Sequence, residues 1–293
     1  MAVENIIIGG SKFDTLSQKK LNQFLDYAIS SGVYQIDTSP FYGNSEEMIG
    51  NYQKINPKLR ITTKVGLPRA HIDSWHSSEI EVQFQQSLNK LNIDKIDTLF
   101  FHSIPSKLLS EEVFSIAENF KTKKLITNLG YSGDNENLQF AINLNKFDCF
   151  MATFNALDVS DYKSIRSLKM EKVYIKRPLA NAVFNKTLLM TLKSKLSKLT
   201  THNLKLYPNS YPSRYRQIFG EPKFINTDLL KFIQFLVYFQ PHSKYVFGVR
   251  SCSHLKEIIE TYKLVNDQII PELDEYLEKV IGLSQRLSWR ALS

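Results

Sequence analysis

The sequence predicts a single-domain α/β protein, a (β/α)8 TIM barrel over residues 1–293 with a long loop inserted after the seventh strand. Short apolar runs alternate with longer amphipathic stretches about eight times along the chain. Each short run is only four or five residues and nearly all apolar, as parallel strands covered on both faces require. No Pro-, Gly- or Ser-rich linker breaks the repetition. Strand–helix repetition forces a parallel sheet, and this many uninterrupted repeats favour closing it into a barrel. The runner-up, an open doubly wound sheet, lacks the GxGxxG turn expected after its first strand, where Gly9-Gly10-Ser11 makes only a tight loop.

In chain order, the strands are expected at Ile6–Gly9, Tyr34–Asp37, Ile61–Lys64, Asp97–Phe101, Ile126–Gly130, Cys149–Thr153, Val173–Lys176 and Tyr245–Gly248. The intervening stretches carry helical spacing. Leu21, Phe24, Leu25 and Ala28 share one helix face, and so do Phe84, Leu88 and Leu91. Ser17 stands where the first helix needs an N-cap. Lys186 to Lys205 alternates basic residues with Leu and Thr, the solvated side of a helix. Leu204–Phe224 fits neither period. It holds Pro208, Pro212, Pro222, Arg214 and Arg216 among aromatics, and is expected to form the inserted loop.

A hydrophobic fraction of 43% supports a sizeable core, and runs such as Leu99-Phe100-Phe101 are far too short to span a bilayer. With no apparent secretory signal, and with Cys149 and Cys252 far apart and without metal-ligand spacing, a cytoplasmic protein with reduced thiols is expected. The net charge of +8 allows a nucleic-acid surface, an anionic small ligand or mere solubility. The basic residues are spread over the chain rather than gathered on one element, which places nucleic acid well behind the other two. His102 is followed by Ser103 and Ile104, with no HxH pair, so a metal-dependent hydrolase is not expected.

Barrels of this type place their chemistry where strands end and loops begin. There the second strand offers Asp37, with Tyr42 five residues on, the third Lys64 and the fourth His102. Singly, each has a bland reading: a cap, a packing ring, a snorkelling amine, a solvated imidazole. Together they suit proton donation to a carbonyl. A phenol has a pKa near 10 and is a weak acid at neutral pH; a nearby ammonium favours its phenolate. Asp37 is expected to hold Lys64 and offset its charge, and His102 to orient the substrate oxygen.

The stretch Gly32-Val33-Tyr34-Gln35-Ile36-Asp37-Thr38, continued by Tyr42-Gly43-Asn44-Ser45-Glu46 and Ile49-Gly50, resembles the signature of the aldo-keto reductases. Asn128-Leu129-Gly130-Tyr131-Ser132, Phe154-Asn155, Pro178-Leu179-Ala180 and Phe247-Gly248-Val249-Arg250-Ser251 also resemble segments of that family. The resemblance implies NAD(P)H-dependent carbonyl reduction, with Asp37, Tyr42, Lys64 and His102 as the catalytic tetrad. It also implies cofactor contacts from Ser132, Met151, Lys176, Gly248, Arg250 and His254, with NADPH expected and NADH as the alternative.

Three positions depart from the common family pattern: Gly133 replaces an Asn, Met151 a Gln, and Lys176 a Tyr that stacks on the nicotinamide. They point to a bacterial branch with altered nicotinamide contacts. An ammonium from Lys176 is expected to oppose the charge of oxidised nicotinamide, and Arg214 and Arg216 to favour an anionic carbonyl substrate. Two further readings stand beside the reductase. One is a nucleotide-binding sensor or regulatory protein with little turnover, and the other a sugar-modifying oxidoreductase.

Overall fold

A computed structural model describes residues 3–66, 76–182, 210, 211, 214, 217, 218, 228–265 and 271–290. Eight parallel strands close into a barrel in chain order. They are β1 (Ile6–Gly9), β2 (Gln35–Asp37), β3 (Arg60–Val65), β4 (Ile96–His102), β5 (Ile126–Ser132), β6 (Cys149–Thr153), β7 (Val173–Lys176) and β8 (Lys244–Phe247). Three of the eight expected spans match residue for residue; the others differ by one or two residues at one or both ends. The described helices are α1 (Gln18–Ser30), α2 (Ser45–Gln53), α3 (Glu79–Leu91), α4 (Glu111–Thr122), α5 (Asn135–Asn143), α6 (Tyr162–Ile165), α7 (Asp228–Phe239), α8 (Cys252–Leu264) and α9 (Pro271–Arg286).

Local signals behave as the residues dictate. The Ser17 Oγ accepts a hydrogen bond from the Lys20 amide and caps α1. Leu21, Phe24, Leu25 and Ala28 are all buried on its inner face, as are Phe84, Leu88 and Leu91 of α3. The run from Lys186 to Lys205 lies outside the described residues. Of Leu204–Phe224, the described residues are Ser210, Tyr211, Arg214, Gln217 and Ile218, and the last four lie in helical backbone rather than irregular loop.

Register decides which side chains enter the barrel. Gly9 pairs with Asp37, Asp37 with Thr62, and Lys64 with Phe100. Phe100 pairs in turn with Gly130, and His102 with Ser132, which pairs with Met151. Met151 pairs with Tyr174 and Thr153 with Lys176; Lys176 pairs with Val246, and Val246 with Ile7. Because side chains alternate along a strand, every residue in this circuit faces the barrel interior. The apolar members Ile7, Phe100, Cys149, Met151, Tyr174 and Val246 form a small core of their own. It is separate from the larger core that joins the barrel to its helices.

That inner core plugs the barrel below its mouth. Gly130 makes room for it: a β-carbon there would lie 2.4 Å from the Phe100 ring. Phe100 fills the space instead and meets Tyr174 edge-on at 5.1 Å between ring centroids. Above this plug the inward residues turn polar: Asp37, Lys64, His102, Ser132, Thr153 and Lys176. The change from apolar to polar along the same inward row creates the site.

Candidate active site

Asp37 ends β2, and Lys64 lies one strand over in β3; both side chains are almost fully buried. The Lys64 ammonium donates to both carboxylate oxygens of Asp37, at 2.7 and 2.6 Å, and to the Thr38 carbonyl oxygen at 2.8 Å. Thr62 adds a hydroxyl to the same carboxylate at 3.1 Å. Burial, the strongest single influence, pushes the Lys64 pKa down. The charge of Asp37, that of Tyr42 and their hydrogen bonds together outweigh it, so the ammonium titrates above the ordinary lysine value. A lysine this buried stays charged because it is paired, not because it is solvated.

Tyr42 is half-buried above this pair, with the Lys64 Nζ 5.0 Å from its ring centroid. His102, at the end of β4, meets the Tyr42 ring edge-on at 6.5 Å and the Phe41 ring at 5.7 Å. Its Nδ1 lies 3.4 Å from the Ser39 Oγ, which also accepts from the Phe41 amide at 3.3 Å. Ser39 thus ties the loop that carries Tyr42 to the imidazole.

These four residues open onto one cavity of about 320 Å³, whose far wall carries Ser132, Asp134, Met151, Lys176, Arg177 and Gly248. Of the expected cofactor contacts, Ser132, Met151, Lys176 and Gly248 therefore share the mouth with the tetrad. Arg250 and His254 are exposed and lie outside the cavity, on the segment that follows β8. Arg250 donates to the Thr15 hydroxyl at 2.6 Å, bridging the segments after β8 and β1. Ser251 caps α8 through the His254 amide.

Lys176 needs a correction. Its ammonium faces the cavity but is paired with Asp134 at 2.8 Å, so a buried carboxylate offsets the charge expected to oppose oxidised nicotinamide. Asp134 also accepts from the Thr153 amide at 3.1 Å. Behind it lies Asp161, which holds the Asn135 amide at 2.7 Å. Burial first, and the charge of Asp134 second, raise the Asp161 pKa well above the ordinary carboxyl value. Asp161 also lines a wider cavity of about 520 Å³ between α5, α6 and α9, which holds no member of the tetrad. The sequence reading missed Asp134 and Asp161. The available signal was an acid just past the end of β5 in a barrel with a lysine at the end of β7.

Arg214 needs a second correction. It is fully buried and pairs with the equally buried Asp158 at 2.8 Å. Its Nη2 donates to the Arg290 carbonyl oxygen, and its guanidinium lies 4.9 Å from the Trp289 ring centroid. It is a packing cation and contacts no substrate space. Arg216 lies outside the described residues. Among the described residues, no three His, Cys, Asp or Glu side chains gather to hold a metal ion, and no helix is long and apolar enough to cross a membrane.

The fold and the site together define an eight-stranded parallel barrel with a tyrosine poised over a buried lysine–aspartate pair at its mouth. The aldo/keto reductase family model matches residues 5–171, more than half of the chain. The chain belongs to the aldo/keto reductase family. D-arabinose 1-dehydrogenase from Saccharomyces cerevisiae is 27% identical over 145 residues, which cover 45% of this chain and 43% of that protein. The chain thus aligns with less than half the length of that relative. Among solved structures, a thermostable aldo-keto reductase in complex with the inhibitor epalrestat superposes with a TM-score of 0.67 at 18% identity, covering 94% of each chain. The glycerol dehydrogenase of Gluconobacter oxydans gives a TM-score of 0.67 at 17% identity, covering 96% of this chain and 91% of that one.

The carboxyl pair behind Lys176 generates a stability prediction. A raised folded-state pKa means that the native protein holds the Asp161 proton more tightly than the unfolded chain does. The stability this contributes is full at acid pH and is lost as pH rises from the ordinary carboxyl value through the folded one. Asp161→Asn keeps an acceptor for the Asn135 amide and removes the titration. Thermal unfolding should show the Tm of the variant, relative to wild type, rising between pH 5 and pH 8 by on the order of 2–4 °C. Parallel shifts of both proteins across that range would contradict the assignment.

Proposed function

We propose that the chain reduces an aldehyde or ketone to the alcohol with NADPH, NADH being the weaker alternative, and that Tyr42 is the general acid. The observation that carries this reading is the Lys64 ammonium. It is locked to Asp37 and Thr38 by three hydrogen bonds and held within reach of the tyrosine oxygen. When bound, a reduced nicotinamide would supply the hydride for the carbonyl carbon.

The protein supplies the rest. Tyr42 gives its proton to the carbonyl oxygen as the carbon takes up the hydride, and the two transfers together make the alcohol. The phenolate left behind is stabilised by the Lys64 ammonium, an interaction that, after the larger one with Asp37, helps hold the Lys64 pKa up. His102, edge-on to the Tyr42 ring at 6.5 Å, orients the oxygen. Asp37 keeps the ammonium in one place, so little reorganisation is needed when charge develops.

The residues present fit a dinucleotide. A β-carbon built on Gly248 meets nothing within 4 Å, so the wall of the cavity is open where an extended ligand has to leave it. The N-terminus of α8 lies just beyond, favourable for a phosphate. Ser132, Met151 and Lys176 would surround the nicotinamide end, and Arg250, with His254, would hold the 2′-phosphate. The free thiols of Cys149 and Cys252 support a reducing, cytoplasmic setting.

Two outcomes are expected. Tyr42→Phe should leave folding and NADPH affinity intact and lower kcat by roughly 100- to 10,000-fold, the range of general acid catalysis. Turnover within a few-fold of wild type would remove Tyr42 from its role. Arg250→Ala should weaken NADPH binding by about 10- to 100-fold, the worth of a charged hydrogen bond, and weaken NADH binding much less. Equal losses in calorimetry would show that Arg250 does not read the 2′-phosphate.

A further inference from the structure

We propose that Arg177 forms an anion subsite inside the active-site cavity and that the carbonyl substrate carries a carboxylate. This rests on the carbonyl-reductase reading and names the substrate class. Strand alternation puts Lys176 inside the barrel and should turn the next residue away. Arg177 instead lines the same cavity, because its backbone takes a left-handed conformation with φ of 55°. Residues bearing a β-carbon rarely adopt that region. Ala180 and Asn181 do so as well, at φ of 46° and 58°, so the whole turn after β7 is bent in this way.

A buried side chain holds the turn in place. The Asn155 Nδ2 donates to the Arg177 carbonyl oxygen at 3.0 Å and to the Tyr211 hydroxyl at 3.2 Å, while its Oδ1 accepts from the Leu157 amide at 2.9 Å. Sparsely populated backbone held by a dedicated network is characteristic of functional sites. Its effect here is to aim the guanidinium inward, where Nη1 donates to the hydroxyl of the inward-facing, fully buried Thr153 at 3.3 Å.

Charge at the mouth then singles out this residue. Lys64 is paired with Asp37, and Lys176 with Asp134. Among the described residues, no carboxylate pairs with Arg177. A half-buried guanidinium offers a planar fork of donors that matches a carboxylate, and the one described contact of its terminal nitrogens leaves most of that fork available. Any anionic preference is thus assigned to the turn after β7 and not to Arg214, which Asp158 occupies.

The test uses the full chain with 4-carboxybenzaldehyde and its methyl ester, which share the reacting carbonyl and differ in charge. Wild type should favour the acid. The ratio of kcat/KM for acid over ester should fall about 10- to 100-fold in Arg177→Gln and recover in part in Arg177→Lys, which keeps the charge without the fork. The dissociation constant of benzoate from the NADPH-loaded protein, read by calorimetry, should rise by a similar factor and needs no turnover. An unchanged ratio with unchanged benzoate binding overturns the proposal. So does a loss of NADPH affinity in place of benzoate affinity, which would give the guanidinium to the cofactor. If wild type reduces neither aldehyde but binds benzoate through Arg177, the subsite stands and the reductase reading fails.

Discussion

The ion pair between Lys64 and Asp37 is the interaction on which the rest of the site depends. Two charges this deeply buried carry a desolvation cost that their attraction repays only with good geometry and additional hydrogen bonds. Both conditions hold: the ammonium donates to three oxygens, and Thr62 completes the carboxylate. Even so, well-packed apolar residues at the two positions would serve stability about as well. The pair therefore makes sense through what it does for Tyr42. In the proposed reaction it sets a buried positive charge beside the Tyr42 ring, whose hydroxyl would become negative.

The barrel makes that placement possible. Adjacent parallel strands held in a single register put Asp37 and Lys64 on the same inward row, while the inner core around Phe100 and Tyr174 closes the barrel below them. A second ion pair, Lys176 with Asp134, stands on the other wall. Its carboxylate is in turn backed by Asp161. Two lysines thus face one mouth, each matched by its own acid, and the cavity keeps its polarity without a large net field. Arg177 is the exception, and its bent backbone shows that the exception is built into the turn.

The strands were legible because each is a short apolar run covered on both faces, a pattern few other elements produce. The tetrad was legible because three of its members end or nearly end consecutive strands, and Tyr42 follows Asp37 in a recognisable motif. Partnerships between distant segments were not. Asp134 is one more acid in a loop until β7 brings Lys176 to it, and Lys176 read alone looked like an uncompensated charge. Arg214 sits in a polar, proline-rich stretch that reads as exposed. Among the described residues, Asp158, Trp289 and the Arg290 carbonyl, from other parts of the chain, meet its buried guanidinium. The inward turn of Arg177 depends on Asn155 in the same way.

The most direct test of the central claim removes the ion pair without stranding a charge. Lys64→Met alone would leave a buried carboxylate unpaired, at about 3–5 kcal/mol, so the informative protein combines Asp37→Asn with Lys64→Met. Hydride transfer is read in a stopped-flow single turnover, from the loss of nicotinamide absorbance with NADPH-saturated protein and a reactive aldehyde. The account predicts a folded double variant that binds NADPH normally and transfers hydride roughly 100- to 1,000-fold more slowly, the scale of a lost electrostatic stabiliser. A rate within about threefold of wild type would contradict it, because removing the buried charge would then have cost the chemistry less than 1 kcal/mol.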